Sequence, residues 1–196
     1  RRVFLQASGG AAALASQAKP VSANDKVQIA LIGAGGMGTG DVQSALAVPG
    51  VEIVAAADVY EGRLARAKER WGNHLFTSRD YREVLARKDV DAVIVATPDH
   101  WHSTISIDAM KAGKDVYSEK PSCMTILEGQ AVVDAAKENK RVYQTGTQRL
   151  SEPNFVYCIE AARSGKLGKV HTARAHIAPW DAAEMTHQWL PAEPIP

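Results

Sequence analysis

Little in this sequence argues for a disulfide scaffold, a nucleic-acid surface or a membrane span. Only two cysteines occur, Cys123 and Cys158. They could close one bridge in an oxidising compartment, but two buried free thiols are the reading adopted, and neither their spacing nor their neighbours suggest a metal. Positive and negative side chains nearly cancel, at a net charge of +1. That leaves no electrostatic case for nucleic acid or a lipid surface. No run of apolar residues is long enough to cross a bilayer, and no repeat or low-complexity block follows the first 25 residues. What remains, 45% hydrophobic and 23% charged residues, is globular composition, and the length suits one ordinary domain plus a piece of another.

The most informative stretch runs from Val27 to Gly38, V-Q-I-A-L-I-G-A-G-G-M-G. Val27 to Ile32 is short and aliphatic and stops at glycine, as a buried parallel strand does. Gly33, Gly35 and Gly38 then open a helix. In such a strand-turn-helix unit the first glycine permits the tight turn, the second lets a pyrophosphate approach the backbone, and the third lets helix and strand pack closely. The phosphates would sit on free N–H groups at the helix N-terminus. A glycine triplet alone could be any α/β turn. Asp58, closing the next apolar run Val51 to Ala57, lies 20 positions after Gly38. An acid there can accept hydrogen bonds from an adenosine ribose and repel a 2′-phosphate, so a dinucleotide site is expected, with NAD favoured over NADP.

Residues 1–25 read as a targeting segment rather than as part of the fold. R-R-V-F-L followed by Ala- and Gly-rich residues resembles a twin-arginine export signal, with a cut expected after Ala15 or Ala18. A periplasmic or otherwise exported protein is therefore expected. The chain lacks an initiator Met and is read as clipped at its start.

Downstream, strands and helices alternate. Helices are expected over Gly36 to Val48, Glu61 to Trp71, Ser78 to Arg87, His102 to Lys111 and Thr125 to Glu138, the last opened by a capping box from Thr125 to Glu128. In the second helix Leu64, Ala65, Lys68 and Trp71 are expected to form the apolar stripe. Strands are expected over Leu75 to Thr77, Asp91 to Ala96, Asp115 to Ser118 and Arg141 to Thr145. This regularity implies right-handed crossovers and a doubly wound parallel sheet, an α/β fold that binds ligands beyond the carboxyl ends of its strands. Those ends are Gly33 to Gly38, Asp58, Thr97 to His102, Glu119 to Pro121 and Gly146 to Arg149.

Lys120 follows directly on a strand and should project into the cleft. Held between apolar walls and a cationic ring, a lysine can take or give a hydroxyl proton near neutral pH. An ordinary exposed lysine at a strand end is the alternative that spacing leaves open. Pro121 would fix the turn, with a cis bond as one way of doing so.

Taken together, Gly33-Ala34-Gly35-Gly36-Met37-Gly38, Asp58, Thr97-Pro98-Asp99-His100-Trp101-His102, Glu119-Lys120-Pro121 and Gly146-Thr147-Gln148-Arg149 resemble the glucose-fructose oxidoreductase, inositol dehydrogenase and rhizopine-catabolism family (Gfo/Idh/MocA) over about residues 27 to 180. The resemblance implies a nucleotide-binding Rossmann domain, placed at residues 26–148, followed by an α+β substrate domain with a large, mostly antiparallel sheet, of which residues 149–196 would be the truncated start. It implies that Lys120 is catalytic and that Glu119 and His102 border the nicotinamide. Met37, Gly38 and Asp58 would hold pyrophosphate and ribose, and Gly33, Gly35, Gly36, Thr97, Pro98, Asp99, Trp101 and Gln148 complete the cofactor site. A homo-oligomer assembled through the second domain's sheet is also expected.

The family's second proton-transfer residue, a histidine four positions after an aspartate on a helix, has no visible counterpart. Asp181 and His187 are six apart, and Glu184 and His187 three apart. His171 and His176 fall in Lys169 to Ile177, read as the first strand of the second domain, and are taken as structural. Ser151 to Ser164 is the expected connecting helix, and Trp180 and Trp189 could be cofactor, subunit or packing contacts. The function expected is an NAD-dependent oxidoreductase acting on a hydroxyl of a sugar, sugar derivative or cyclitol, with this fragment alone inactive. Glycoside cleavage through transient oxidation is a close variant. A non-catalytic nucleotide-binding protein is the alternative of another class, against which Lys120 argues. A methyltransferase would leave Glu119-Lys120-Pro121 unexplained.

Overall fold

The computed structural model describes residues 26–174. The expected signal, and the histidine, acid and tryptophan candidates from 175 onwards, lie outside the described residues. Strands β1 (Val27–Ile32), β2 (Val51–Ala57), β3 (Phe76–Ser78), β4 (Ala92–Val95), β5 (Asp115–Glu119) and β6 (Tyr143–Gly146) form one sheet in the order β3-β2-β1-β4-β5-β6. Every pairing is parallel. The crossovers are α1 (Gly36–Leu46), α2 (Glu61–Trp71), α3 (Tyr81–Leu85), α4 (His102–Lys111) and α5 (Ile126–Asn139), and α6 (Pro153–Arg163) follows the sheet. Chain direction across the sheet reverses between β1 and β4, so the crevice for a ligand opens above those two strands.

The strands are aliphatic on both faces because helices cover both. Ala30, Ile32, Val93 and Val95 pack with Val84, Ile105, Met110 and Val132 from α3, α4 and α5. Ile29, Leu31 and Ile94 pack with Val42 of α1 and Ala67 of α2 on the other face. Removing a side chain such as Leu31 or Ile105 from water stabilises the fold by about 1.5–3 kcal/mol each. The stripe of α2 buries Leu64 and Ala67, with Trp71 half-buried and Ala65 exposed.

A one-residue bulge in β2 had no signature in the sequence. Ile29 pairs with Ile53 but Ala30 with Ala55, leaving Val54 as the extra residue. Ile53 and Ala55 consequently lie on opposite faces of the sheet, although they are two apart. Since side-chain parity flips at a bulge, Asp58 emerges on the side of α1 and the glycine turn.

Helix starts follow their caps. Thr125 Oγ1 accepts the Glu128 N–H at 3.2 Å, and Glu128 accepts from Met124 N and Ser103 Oγ. The third helix is shorter than expected because Ser78 is committed to pairing with Ala57, and Asp80 caps from Arg82 N at 2.9 Å. Of the strand expected over Lys169 to Ile177, the described residues 169–174 form none, and His171 is exposed. One expectation fails. The cysteines are free but not buried, Cys123 being half-buried and Cys158 exposed on a helix with no buried residue.

Candidate functional site

Two glycines of the turn are required by the chain itself. Gly33 has φ +96°, and a Cβ there would stand 2.5 Å from the Ala96 carbonyl oxygen. At Gly38 a Cβ would meet the Gly33 oxygen at 2.4 Å and Leu31 Cδ1 at 2.8 Å, so α1 packs against β1 only with glycine here. The other two are different. Beside Gly35 the nearest atoms belong to Arg63, 3.8 Å away, and nothing lies within 4 Å of a Cβ at Gly36. Among the described residues nothing packs into the space over these two glycines. That leaves the backbone N–H groups at the start of α1 approachable, and no acid occupies that first turn to neutralise them. The donor set and the open backbone fit a dinucleotide pyrophosphate. Met37, 48% exposed, flanks the same opening.

Asp58 is 7% exposed and accepts a backbone hydrogen bond through each oxygen. Oδ2 accepts the Ala34 N–H at 2.8 Å, Oδ1 accepts Tyr60 N–H at 2.9 Å, and Arg63 Nη1 lies 3.5 Å from Oδ2. The carboxylate thus holds the glycine turn against the end of β2. Carboxylate oxygens have further lone pairs, so ribose hydroxyls remain possible donors.

His102, expected to border the nicotinamide, lies between two loops. It is 1% exposed, and its two ring nitrogens each lie 2.8 Å from a backbone carbonyl: Nδ1 from Pro121 O, Nε2 from Thr97 O. With no surface left for a ligand, it clasps the loop after β4 to the loop after β5. In front of it, Asp99 and His100 are exposed, and the ring of Trp101 stands edge-on to Tyr81 at 6.5 Å. Thr97 Oγ1 is buried without a partner among the described residues. An orphan hydroxyl at a strand end beside the crevice suits a ligand contact.

At the end of β5 the Lys120–Pro121 peptide bond is cis. Lys120 is not held between apolar walls. Its side chain is 67% exposed, with Nζ 3.7 Å from Oε2 of the buried Glu119. The Glu119 carboxylate also receives a short hydrogen bond from Gln148 Nε2, whose amide in turn reaches Asp41 Oδ1 at 3.4 Å. Burial, and then the charge of Glu119, raise the carboxyl of Asp41 above its ordinary value. Burial first, then Asp41 and Glu119, push the Tyr117 phenol up to about 12. Gly146 completes the pocket, since a Cβ there would stand 2.5 Å from Glu119 Oε1 and 3.1 Å from Tyr117 Oη.

The helix behind the glycine turn, the end of β5 and the end of β6 are thereby tied into one site. Sequence reasoning missed Asp41 and the space requirement at Gly146. The signal for Asp41 was an acid on the inward side of α1, directly before the core residue Val42.

Residues 27–147 match the model of the family described as oxidoreductase family, NAD-binding Rossmann fold, Gfo/Idh/MocA. The chain is 29% identical over 177 residues to glycosyl hydrolase family 109 protein 1 of Shewanella sp. (strain MR-4), covering 83% of this chain and 38% of that one. It is 30% identical over 141 residues to inositol 2-dehydrogenase of Salmonella typhimurium, covering 71% of this chain and 42% of that one. Among solved structures, myo-inositol 2-dehydrogenase from Lactobacillus plantarum superimposes with a TM-score of 0.69 at 26% identity, over 74% of this chain and 43% of that chain. The chain thus spans less than half the length of the relatives it matches. With its glycine turn, Asp58, the Thr97 to His102 segment and Glu119-Lys120-Pro121 all inside the matched region, the chain belongs to the Gfo/Idh/MocA oxidoreductase family.

Proposed function

We propose that the full-length protein is an NAD-dependent oxidoreductase acting on a secondary hydroxyl of a sugar, sugar derivative or cyclitol. The observation that carries this reading is Lys120: an accessible ammonium at the carboxyl end of β5, anchored 3.7 Å from a buried carboxylate beside a glycine turn with room for a pyrophosphate. The likeness to an inositol 2-dehydrogenase supports the substrate class.

Bound NAD supplies a hydride acceptor at the nicotinamide ring. Gly35, Gly36 and the first turn of α1 hold the diphosphate through backbone N–H groups. Asp58 receives ribose hydroxyls, and its charge disfavours a 2′-phosphate. Arg63 Nη1 lies 3.5 Å from Asp58, whose charge offsets part of its attraction for such a phosphate. Once its ammonium has released a proton to solvent, the neutral Lys120 Nζ takes the proton of the substrate hydroxyl as the carbinol is oxidised, becoming ammonium again, and in reverse the ammonium returns that proton, so no discrete alkoxide forms. Glu119 anchors the ammonium between turnovers.

Substrate contacts are assigned to a second domain that begins near residue 149, and export to the segment Arg1 to Asp25. A reporter lacking its own signal, fused behind residues 1–25, should reach the periplasm in cells with twin-arginine transport and stay inside cells without it.

Likeness to a glycosyl hydrolase family 109 protein is consistent with a second route, in which transient oxidation acidifies a neighbouring C–H and a glycoside leaves by elimination. One experiment separates them. Full-length protein is incubated with NAD and with sugars, glycosides and cyclitols, while nicotinamide absorbance and released sugar are followed together. Accumulating reduced cofactor means net oxidation, and release without it means the transient route. Neither signal with any substrate would reject the reading.

A further inference from the structure

The most unusual feature of the site is a carboxylate that the reaction above does not use. Asp41 belongs to α1, three residues past the last glycine of the turn, and is 9% exposed. One oxygen, Oδ2, is buried with no partner among the described residues, and the other meets the Gln148 amide. Around it lies an apolar depression of about 440 Å³, lined among others by Ile29, Ala45, Ile94 and Tyr117. A charge in such surroundings is costly unless something holds it.

What holds it is shared with Glu119. A primary amide nitrogen carries two hydrogens, and Gln148 Nε2 lies against a carboxylate on each side, Asp41 Oδ1 and Glu119 Oε1. Two buried carboxylates from α1 and β5 are thus bridged by one neutral donor from the turn after β6. The bond to Glu119 is the closer of the two and the contact with Asp41, at 3.4 Å, the longer, and together they favour one rotamer of the Gln148 amide. Titratable groups facing the bridge are Asp41 on α1, Tyr117 and Glu119 on β5, and Lys120 beyond it. Lys120 also lowers the cost of Asp41's charge.

We propose that Asp41 is a positioning residue: through Gln148 it fixes the Glu119 carboxylate, and through Glu119 the place of the Lys120 ammonium. This rests on the reading of Lys120 as the proton-transfer group. It also gives Gln148 a role distinct from cofactor contact, because both of its amide hydrogens are committed within the chain. The bridge spans the helix that would receive the pyrophosphate and the strand that carries the lysine, so it keeps the two halves of the site in register.

The test combines Asp41→Ala, Gln148→Ala and the double variant in the full-length protein, with kcat expressed per NAD-binding site and thermal stability measured alongside. Each single variant should lower kcat about tenfold while the Kd for NAD stays within about twofold, and the double should lose about tenfold rather than a hundredfold, as groups acting in series do. Asp41→Asn retains an oxygen acceptor and should restore kcat to within about threefold of the wild type. Should alanine leave a cavity the fold does not tolerate, Asp41→Leu fills the apolar-lined space without an acceptor and carries the same expectation.

Independently of turnover, the side-chain amide resonance of ¹⁵N-labelled Gln148 should move in Asp41→Ala. Wild-type kcat per site in that variant, an unmoved Gln148 resonance or a multiplicative double variant would overturn the proposal. Undiminished turnover in Lys120→Ala would instead sink the Lys120 reading, while the Gln148 resonance would still report whether the bridge exists.

Discussion

Asp58 Oδ2 accepts the Ala34 N–H at 2.8 Å, joining the end of β2 to the glycine turn that ends β1. A residue assigned to the ribose is therefore also a structural tie. Asp58→Ala should weaken NAD and shrink its advantage over NADP, because Arg63 loses its partner and becomes available to a 2′-phosphate. Leaving Ala34 N–H and Tyr60 N–H unpaired should also cost about 1–3 kcal/mol of stability. Isothermal titration with both cofactors and chemical denaturation read the two effects. An unchanged NAD-to-NADP ratio would remove Asp58 from the ribose site.

Gly146→Ala tests how tightly the Glu119 pocket is built. A methyl group 2.5 Å from Glu119 Oε1 forces the carboxylate to move, and the backbone of β6 has little freedom beside β5. Overpacking of this kind costs about 1–3 kcal/mol. Turnover should fall with NAD binding largely retained, since the displaced group lies at Lys120 rather than at the glycine turn. Wild-type stability and turnover together would show that the pocket yields easily.

Replacing His102 by alanine removes the ring that bridges Thr97 O and Pro121 O and leaves both carbonyls and a cavity behind. The expected loss is about 3–5 kcal/mol, larger than for a surface histidine by most of that amount. Denaturant titration measures it. A loss below about 0.5 kcal/mol, the range of an ordinary surface change, would contradict the clasp.

Lys114 supplies a contrast at the opposite end of the sheet. Its buried ammonium donates to Arg87 O and Val90 O, at 2.7 and 2.8 Å, where β5 begins rather than where it ends. Lys114→Met should destabilise the domain by about 1–3 kcal/mol while kcat per NAD-binding site stays the same. A large fall in kcat with intact stability would show that the amino ends of the strands also matter to the reaction.

The raised carboxyl of Asp41 has a pH signature of definite sign. The native state binds this proton more tightly than the unfolded chain, so the group's contribution to stability falls as pH rises from the ordinary carboxylate value through the raised one. Asp41→Asn lacks that loss, and its stability relative to the wild type should increase across this window and level off above it. Denaturation midpoints at several acidic pH values check the slope, and a stability of Asp41→Asn relative to the wild type that falls with rising pH would contradict the sign.

Alternation of aliphatic runs and amphipathic stretches was enough to read the sheet and its crossovers, because each parallel strand buries both faces and each helix one. The strand ends were legible for the same reason: glycine and polar groups interrupt apolar runs at Gly33, Thr97 and Glu119. Hidden from a one-dimensional reading were relationships between distant segments. The bulge at Val54 depends on pairing with β1, not on a local signal. His102 looks like any polar residue opening a helix until the fold brings the Pro121 carbonyl to its ring. Asp41 and Gln148 stand 107 positions apart, and only the fold makes them neighbours.

The central claim rests on Lys120, and the most direct measurement is turnover of Lys120→Ala in the full-length protein, with NAD affinity measured on the same preparation. The side chain is two-thirds exposed, so the substitution should leave folding and NAD binding nearly intact. General acid–base catalysis contributes about 10²–10⁴-fold, and kcat should fall on that scale. Wild-type turnover with NAD still bound would contradict the account.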